Sequence, residues 1–555
     1  FPAGFLWGTA SAAHQVEGGC TNNNWARWEE TADAKSGLPR PRAANACEHW
    51  TRYREDIALM KQLGMTSYRF SIEWSKIEPS PGVYDAEALA HYHEVLDALH
   101  EAGIEPMLTL FHFTIPKWFE ELGGFEVESN SGYFVAFAQR VFSEYSSKCK
   151  LWCTINEPEH PFSGPNYVQG LYSVKCKLWC TITEPEDVNL AAIVMRNLLE
   201  AHILVYHALK QSPGGQQAQV GIVKDVFQFE PYNALSPLDI AAAAIVDNVM
   251  NESILRFLRT GHFFFWMPGQ VRLSRTNTRA PSSYDFIGLN YYSHYHVRVK
   301  LPTATAAHPF ELVHLPREEA LMTDLPYPLF PEGFYHALVR VGKLGKPVYV
   351  TESGIADARD DRRAQHLRRY LYAMSCAIAD GVDVRGYYHW TLMDNFEWAE
   401  GWNAKFGLYA CDPKTQERVM RPSAKVYQDV VNRFASGEIV LAAPPKPLPP
   451  LSMQPQATPG LPTGQGVAGV SELELALSSV VSVEAAPANA AAAPAIAAVA
   501  EAAPAAMPSF EADEGASELA VAEAPAPSLV EPGPELESQP LPDSDVEVGK
   551  IDDGK

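Results

Sequence analysis

Short apolar runs alternate with longer amphipathic stretches over residues 1–440. The runs are rich in β-branched and aromatic residues, which is typical of strands, whereas the stretches between them repeat apolar residues at helical spacing. Eight runs fit this description: FLWGTASA, SYRFSIEW, EPMLTLFHF, LWCTINEP, QVGIVKDV, YDFIGLNYYS, PVYVTESG and VRGYYHWTL. Strands that alternate with helices form parallel sheets with crossover helices. The pattern therefore predicts an α/β fold, a single (β/α)₈ barrel with long loops.

One intervening stretch illustrates the helical pattern. In DAEALAHYHEVLDALHEAG the apolar residues Leu89, Tyr92, Leu96 and Leu99 recur at spacings of three and four, which places them on one face of a helix. Gly103 follows the last of them and is expected to end this helix.

The composition changes from Pro444 onward. This segment carries 18 of the 43 prolines, a single aromatic residue (Phe510), and 17 acidic against three basic residues, a net of −14 out of the −23 of the whole chain. A chain of this composition cannot bury a core. We therefore predict a barrel over residues 1–440 and a disordered Pro/Ala/Glu-rich tail over residues 441–555. A docking role for its short patch SELELALSSVVSV stays open, with no partner assigned.

Charge and cysteine usage exclude several classes of function. An acidic chain does not favour nucleic acid, because phosphates are neutralised by clustered Lys and Arg. No transmembrane segment is expected from the distribution of apolar residues, and the eight cysteines are too sparse for a small disulfide scaffold. The sequence begins at Phe1, at the edge of a strand-like run, and so leaves the cellular compartment open.

Polar and aromatic residues mark the ends of the predicted strands. The carboxyl ends of barrel strands meet at one face, where active sites of such barrels are built. The runs present there Gln15, Arg69, His112, Asn156, Glu157, Asn290, Tyr292, Glu352 and Trp390. Each could have a structural role alone, but their occurrence at equivalent places in successive units favours a shared site.

Two of these residues are carboxylates on different strands, which is the equipment for glycoside cleavage. One carboxylic acid must protonate the leaving oxygen, while an ionised carboxylate attacks or stabilises the anomeric centre. We expect Arg69 to hold Glu352 ionised, and the charge of Glu352 to raise the pKa of Glu157.

The motifs around both glutamates resemble those of a known family. TINEP (154–158) and TESG (351–354) resemble the acid/base and nucleophile motifs of glycoside hydrolase family 1, the β-glucosidase family. Further matching segments occur in the family's order from Phe1 to about residue 435: FLWGTASAAHQVEGG, EHWTRYREDIALMKQLGMTSYRFSIEW, LFHFTIPKWF, FIGLNYYS and TLMDNFEWAEGWNAKFGLYACD.

The resemblance implies a role for each site residue and no cofactor or metal. Glu157 would be the acid/base and Glu352 the nucleophile, supported by Arg69 and Tyr292. Substrate hydroxyls and the sugar ring would be bound by Gln15, His112, Asn156, Asn290, Trp390, Glu397 and Trp398. Because Glu397 would repel a 6-phosphate, the phospho-glycosidase branch is disfavoured, and Glu at position 157 departs from the myrosinase pattern.

The sequence departs from the family pattern in two places. Ser353 stands where the nucleophile motif usually has Asn, and a segment is duplicated: YSSKCKLWCTINEPE (145–159) and YSVKCKLWCTITEPE (172–186) match at 13 of 15 positions. Glu184 is therefore a second candidate acid. We choose Glu157 because only its copy has Asn before the Glu and is followed by PNYVQGLY, whereas the other copy has Thr183.

The same copies contain two C-x₃-C pairs, Cys149 with Cys153 and Cys176 with Cys180. Four thiolates could bind zinc, but cysteines in or beside a barrel strand are more often small buried residues. The histidines of residues 91–112 and 294–296, apart from His112, show no closed set of metal-ligand spacings and are expected to be solvated or structural.

Three functions are compatible with these observations. The first is hydrolysis of a small-molecule β-glycoside, a glucoside, galactoside or fucoside, with retention through a covalent glycosyl-enzyme. The second is transglycosylation through the same intermediate, for example onto a glycolipid. The third is a catalytically inactive sugar-binding or scaffold protein, against which the retained pair of carboxylates argues.

Overall fold

Eight parallel strands form a closed barrel in the computed structural model. The structure describes residues 1–31, 37–159, 188–292, 294–299, 310–315, 321–325 and 327–438. The barrel strands are β1 Leu6–Ser11, β2 Ser67–Ser71, β3 Glu105–Phe111, β4 Leu151–Asn156, β5 Gln219–Asp225, β6 Phe286–Asn290, β7 Val348–Ser353 and β8 Val384–Trp390. Each lies within one of the eight runs singled out in the sequence, which confirms the predicted (β/α)₈ barrel.

Every strand pairs in parallel with its neighbours in the chain order, and β1 closes the ring against β8. In the closing pair Leu6 lies opposite Gly386 and Ala10 opposite Trp390. Because all eight strands run the same way, their carboxyl ends meet at one mouth. The strands are buried along nearly their whole length, which explains why they read as continuous apolar runs rather than alternating ones.

Helices pack around this ring. Those of the described residues span Ala13–Val16, Asn24–Glu29, His49–Gln62, Trp74–Ile77, Ala86–Ala102, Lys117–Glu121, Ser131–Tyr145, Val188–Gln211, Pro237–Asp247, Ser253–Thr260, Pro331–Gly342, Arg363–Ala379 and Pro422–Ala435, with a π-helix at Asn248–Glu252.

The helix Ala86–Ala102 shows how local sequence sets its limits. Asp85 caps its start by accepting hydrogen bonds from the backbone N–H groups of Glu87 and Ala88, both 2.9 Å. Its apolar face is buried against the barrel, and the helix ends at Gly103, whose φ of 74° is in the left-handed region that glycine adopts readily. The predicted face and stop are both confirmed.

The longest helix, Val188–Gln211, is apolar enough by length and composition to cross a membrane. Sequence inspection did not single it out. In the structure 67% of its most apolar window is buried inside the protein, and its buried face includes Asn197, Glu200 and His202. These are the features of a core helix packed on the barrel.

Among the residues that the structure describes, three small sheets lie outside the barrel. Strand His294–Val299 is the centre of one, between Gln228–Pro231 in parallel and Phe310–Val313 in antiparallel orientation. The other two are hairpins, His262–Met267 with Val271–Thr276 and Tyr409–Cys411 with Arg418–Met420. The predicted tail over 441–555 and the second copy of the duplication lie outside the described residues.

Candidate active site

All eleven residues that the sequence assigns to the site lie in the described part of the chain, and the barrel brings them to its mouth. Each ends or follows a strand or lies within one: Gln15 after β1, Arg69 in β2, His112 after β3, Asn156 and Glu157 at β4, Asn290 and Tyr292 at β6, Glu352 in β7, and Trp390, Glu397 and Trp398 at or after β8.

Glu352 is held by two donors at once. Arg69 Nη1 donates to Oε1 at 2.6 Å, and the Tyr292 hydroxyl donates to Oε2 at 2.6 Å. Arg69 and Glu352 are both buried, so this is a charge-assisted pair shielded from bulk water. The contacts fix the position of the carboxylate, which is a requirement for a group that must approach a substrate carbon in one direction.

A steric constraint explains why the TESG motif ends in glycine, Gly354. A Cβ atom on Gly354 would lie 1.8 Å from the carbonyl oxygen of Trp390. The end of β7 therefore approaches the end of β8 closely enough to exclude any side chain. The TESG motif places Glu352 and Trp390 side by side in the mouth.

Glu157 takes its position from the backbone. It has a φ of 49°, a left-handed conformation that is uncommon for a residue with a side chain, and its N–H donates to the carbonyl of Val223 at 2.9 Å. Asn290 Nδ2 donates to its Oε1 at 2.5 Å. Strained backbone of this kind persists where the surrounding structure fixes it, and functional sites are where it concentrates.

Asn156 connects the two glutamates. Its Oδ1 accepts from Arg69 Nη2 at 2.6 Å and from Asn290 Nδ2 at 3.2 Å. The oxygen is thus occupied, and its amide nitrogen lies 3.3 Å from His112 Nε2. A fixed N–H₂ group at the mouth is suited to donate to a ligand hydroxyl. Thr183 of the second copy has no amide to offer.

Opposing influences set the pKa of Glu352. Burial raises it from 4.5 to about 7; Arg69 lowers it, the charge of Glu157 raises it again, and Tyr292 lowers it. Arg69 thus acts in the expected direction, towards the ionised form, but removal of the carboxylate from water is the larger influence. Two buried carboxylates near each other hold one negative charge more easily than two.

A second part of the mouth combines aromatic rings with a polar amide. The His112 ring stacks with Trp390 at 5.9 Å and with Trp398 at 6.3 Å between centroids. Gln15 Nε2 donates to the carbonyl of Phe396 at 2.8 Å and to Glu397 Oε2 at 3.4 Å. Its buried Oε1 has no hydrogen-bond partner among the described residues, which leaves an acceptor for a ligand hydroxyl.

Sequence inspection missed an acidic cluster beside Glu157. Glu159 is fully buried and paired with Lys224 at 2.9 Å, and its Oε1 accepts from the backbone N–H of Asp225 at 2.6 Å. Burial first, and then the charge of Glu157, raise the pKa of Asp225 well above its ordinary range. The sequence contains a sign of this cluster in the Lys-Asp pair near the end of QVGIVKDV. A strand that is buried on all sides carries charged residues only when they are paired.

The first copy of the duplicated segment forms β4, with Glu157 at its end. Cys149 and Cys153 of this copy are buried and carry no disulfide, as expected of small core residues. Glu184, Cys176 and Cys180 lie outside the described residues.

Comparison with known proteins gives a consistent result over this region. The family model described as glycosyl hydrolase family 1 matches residues 1–435. The chain is similar to beta-glucosidase A of Thermotoga maritima, with 30% identity over 78% of this chain and 97% of the relative, and to beta-glucosidase 25 of rice, Oryza sativa subsp. japonica, with 32% identity over 78% and 94%.

Solved structures agree with these relatives. A beta-glycosidase from Pyrococcus horikoshii is 34% identical with a TM-score of 0.65, over 78% of this chain and 94% of that one. The family 1 β-glucosidase from Thermotoga maritima is 28% identical with a TM-score of 0.66, over 78% and 98%.

Proposed function

Because the chain belongs to glycosyl hydrolase family 1 and is an O-glycosyl hydrolase, we propose that it hydrolyses terminal β-linked sugars of the glucoside type in two steps, with Glu352 as nucleophile and Glu157 as acid/base. The observation that carries this proposal is the unequal surroundings of the two glutamates. Arg69 and Tyr292 both donate to Glu352, whereas an amide donates to Glu157 and further carboxyls lie nearby.

This asymmetry divides the roles. The single negative charge that the pair holds most easily is more stable on Glu352, because that carboxylate accepts from a guanidinium and a hydroxyl. The proton then resides on Glu157. Glu352 attacks the anomeric carbon while Glu157 gives its proton to the departing glycosidic oxygen, which forms the glycosyl-enzyme. In the second step Glu157 takes a proton from the attacking water, and Glu352 leaves as carboxylate.

The remaining residues position the sugar. The N–H₂ group of Asn156 faces away from Arg69 and is placed to bind the 2-hydroxyl, a contact that strengthens as charge develops on the ring. The free Oε1 of Gln15 and the carboxylate of Glu397 accept from other ring hydroxyls, and Trp390 packs under the C–H face.

The anomer of the first product tests the proposal. A panel of aryl β-glycosides is incubated with the full chain, and the product is followed by proton NMR before mutarotation. We expect the β-anomer to appear first and Glu352→Gln to be inactive, while Glu87→Gln, an exposed glutamate on a surface helix, keeps wild-type rates. An α-anomer as first product would refute retention, and predominant transfer to a sugar acceptor at low concentration would refute hydrolysis as the main reaction.

A further inference from the structure

A cluster of metal-ligating side chains lies on the small sheet outside the barrel. His294 and His296 alternate along strand His294–Val299 and so project from the same face. Strand Gln228–Pro231 pairs with it in parallel and places Glu230 directly opposite His296. One ligand atom from each of the three residues lies within 4.8 Å of the others.

From this convergence we propose that Glu230, His294 and His296 form a binding site for a divalent transition-metal ion, with Zn²⁺ as the best match. His296 Nε2 and Glu230 Oε2 are 3.4 Å apart, and two ligands of a tetrahedral zinc with bonds of about 2.0–2.1 Å are separated by about 3.3 Å. The rings of His294 and His296 lie 5.0 Å apart at 64°, and one nitrogen of each lies within 4.8 Å of the other.

The donor set selects the type of ion. Two imidazoles and one carboxylate suit zinc and its neighbours, whereas calcium and magnesium prefer oxygen ligands alone. Both histidines are buried, while the Glu230 side chain is 45% exposed and gives an ion access from solvent.

A second group of potential ligands makes a useful contrast. His14, Cys20 and Glu73 also lie within 4.8 Å of one another. However, both nitrogens of His14 are engaged, by Glu29 at 2.8 Å and Asn23 at 3.0 Å. Glu73 likewise accepts from hydroxyl groups on each of its oxygens. Protein hydrogen bonds already satisfy this group, so it is a structural network.

The proposed site has a defined place in the molecule. Three protein ligands leave a fourth position for water. An ion would fasten strand His294–Val299 to strand Gln228–Pro231, and its first ligand follows two residues after Tyr292 in the chain. The site is separate from Glu352 and Glu157, and its existence does not depend on the proposed function. Sequence spacing alone missed it because Glu230 precedes His294 by 64 residues.

Calorimetric titration tests the site in the full chain. Protein stripped of metal with a chelator is titrated with ZnCl₂, and we expect one equivalent to bind and the melting temperature to rise. His294→Ala, His296→Ala and Glu230→Gln should each weaken the affinity by about tenfold or more. Because Glu230 is partly exposed, Glu230→Gln is expected to keep the fold and the wild-type activity even if a histidine variant does not fold.

Two controls complete the design. His336→Ala removes an exposed histidine, and Cys20→Ser removes a ligand of the other group; both should bind zinc as the wild type does. Saturable binding that survives all three site variants, binding that is lost in Cys20→Ser, or no binding at all would overturn the proposal. Titration with Co²⁺ adds a spectroscopic check, since the proposed ligands give no thiolate charge-transfer band.

Discussion

The two sides of the barrel mouth differ in the groups that surround the glutamate carboxylate. On the β7 side, Glu352 is met by a guanidinium and a hydroxyl, both at 2.6 Å. On the β4 side, Glu157 lies on a left-handed turn beside Asn290, Asp225 and Glu159, and the cation of that cluster, Lys224, is paired with Glu159. One side supplies donors to a charge, and the other gathers carboxyl groups whose pKa values are raised. Since the residue type is the same on both sides, this difference in surroundings supports the proposed division of roles between acid and nucleophile.

The largest expected effect comes from removing each glutamate in turn. Glu352→Ala should lower kcat by roughly 10⁴-fold or more, because no covalent intermediate can form. Glu157→Ala should lower it by about 10²–10⁴-fold on substrates with poor leaving groups. Azide added to each variant distinguishes the sides: it should give the α-glycosyl azide with Glu352→Ala and the β-glycosyl azide with Glu157→Ala, as read by NMR.

Glu184→Gln is the matched control, since the duplicated segment surrounds Glu184 with nearly the same sequence. It should keep wild-type activity. Loss of activity in Glu184→Gln with full activity in Glu157→Gln would assign the acid to the other copy.

The buried ion pair is expected to have the next largest effect, on stability. Lys224 and Glu159 are at most 1% exposed, so Lys224→Met leaves a buried charge unpaired and should lower the free energy of unfolding by about 3–5 kcal/mol. The double change Lys224→Met with Glu159→Leu should recover much of this loss. Urea unfolding followed by circular dichroism measures both.

Arg433→Met serves as the comparison, because its pair with Glu438 is exposed on both sides and should contribute less than about 1 kcal/mol. A loss in Lys224→Met no larger than in Arg433→Met would show that the acidic cluster is not held by its cation.

The smallest effect is a shift in pH dependence. The hydrogen bond from Tyr292 lowers the pKa of Glu352, and Glu352 must be ionised to attack. Tyr292→Phe should therefore raise that pKa and move the acid limb of kcat/KM to higher pH by about one unit. Glu157→Gln should leave the acid limb nearly in place, because Glu157 is already protonated where Glu352 ionises; a dinitrophenyl glycoside, which needs no acid, makes this measurable.

Tyr291→Phe is the control for this prediction. The Tyr291 hydroxyl donates to the carbonyl of Phe330 at 3.0 Å rather than to a glutamate. An acid limb that moves equally in both tyrosine variants would contradict the assigned role of Tyr292.

The sequence predicted the barrel and the positions of the site residues because both depend on order along the chain. Buried parallel strands appear in the sequence as apolar runs, and a polar residue at the carboxyl end of such a run lies at the barrel mouth. The raised pKa of Glu352 could not be predicted in the same way. It depends on how completely burial removes the carboxylate from water, a property of the assembled mouth.

Contacts between residues that are far apart in the sequence could not be predicted either. Lys224 contacts Glu159, which lies 65 residues earlier, and Glu230 lies opposite His296, 66 residues later, on a paired strand. Neither pair forms a local motif. The helix Val188–Gln211 was missed because its apolar composition is that of any core helix. Only the packing shows which of its residues are buried.

The order of strands around the barrel determines which parts of the chain can change in sequence without moving the two glutamates. β4 and β7 are separated by β5 and β6, so backbone hydrogen bonds across this arc set the distance between Glu157 and Glu352. That distance decides the stereochemical outcome of glycoside cleavage. The loops at the mouth can lengthen while the ring stays the same. Substrate choice and catalytic stereochemistry can therefore evolve independently in this architecture.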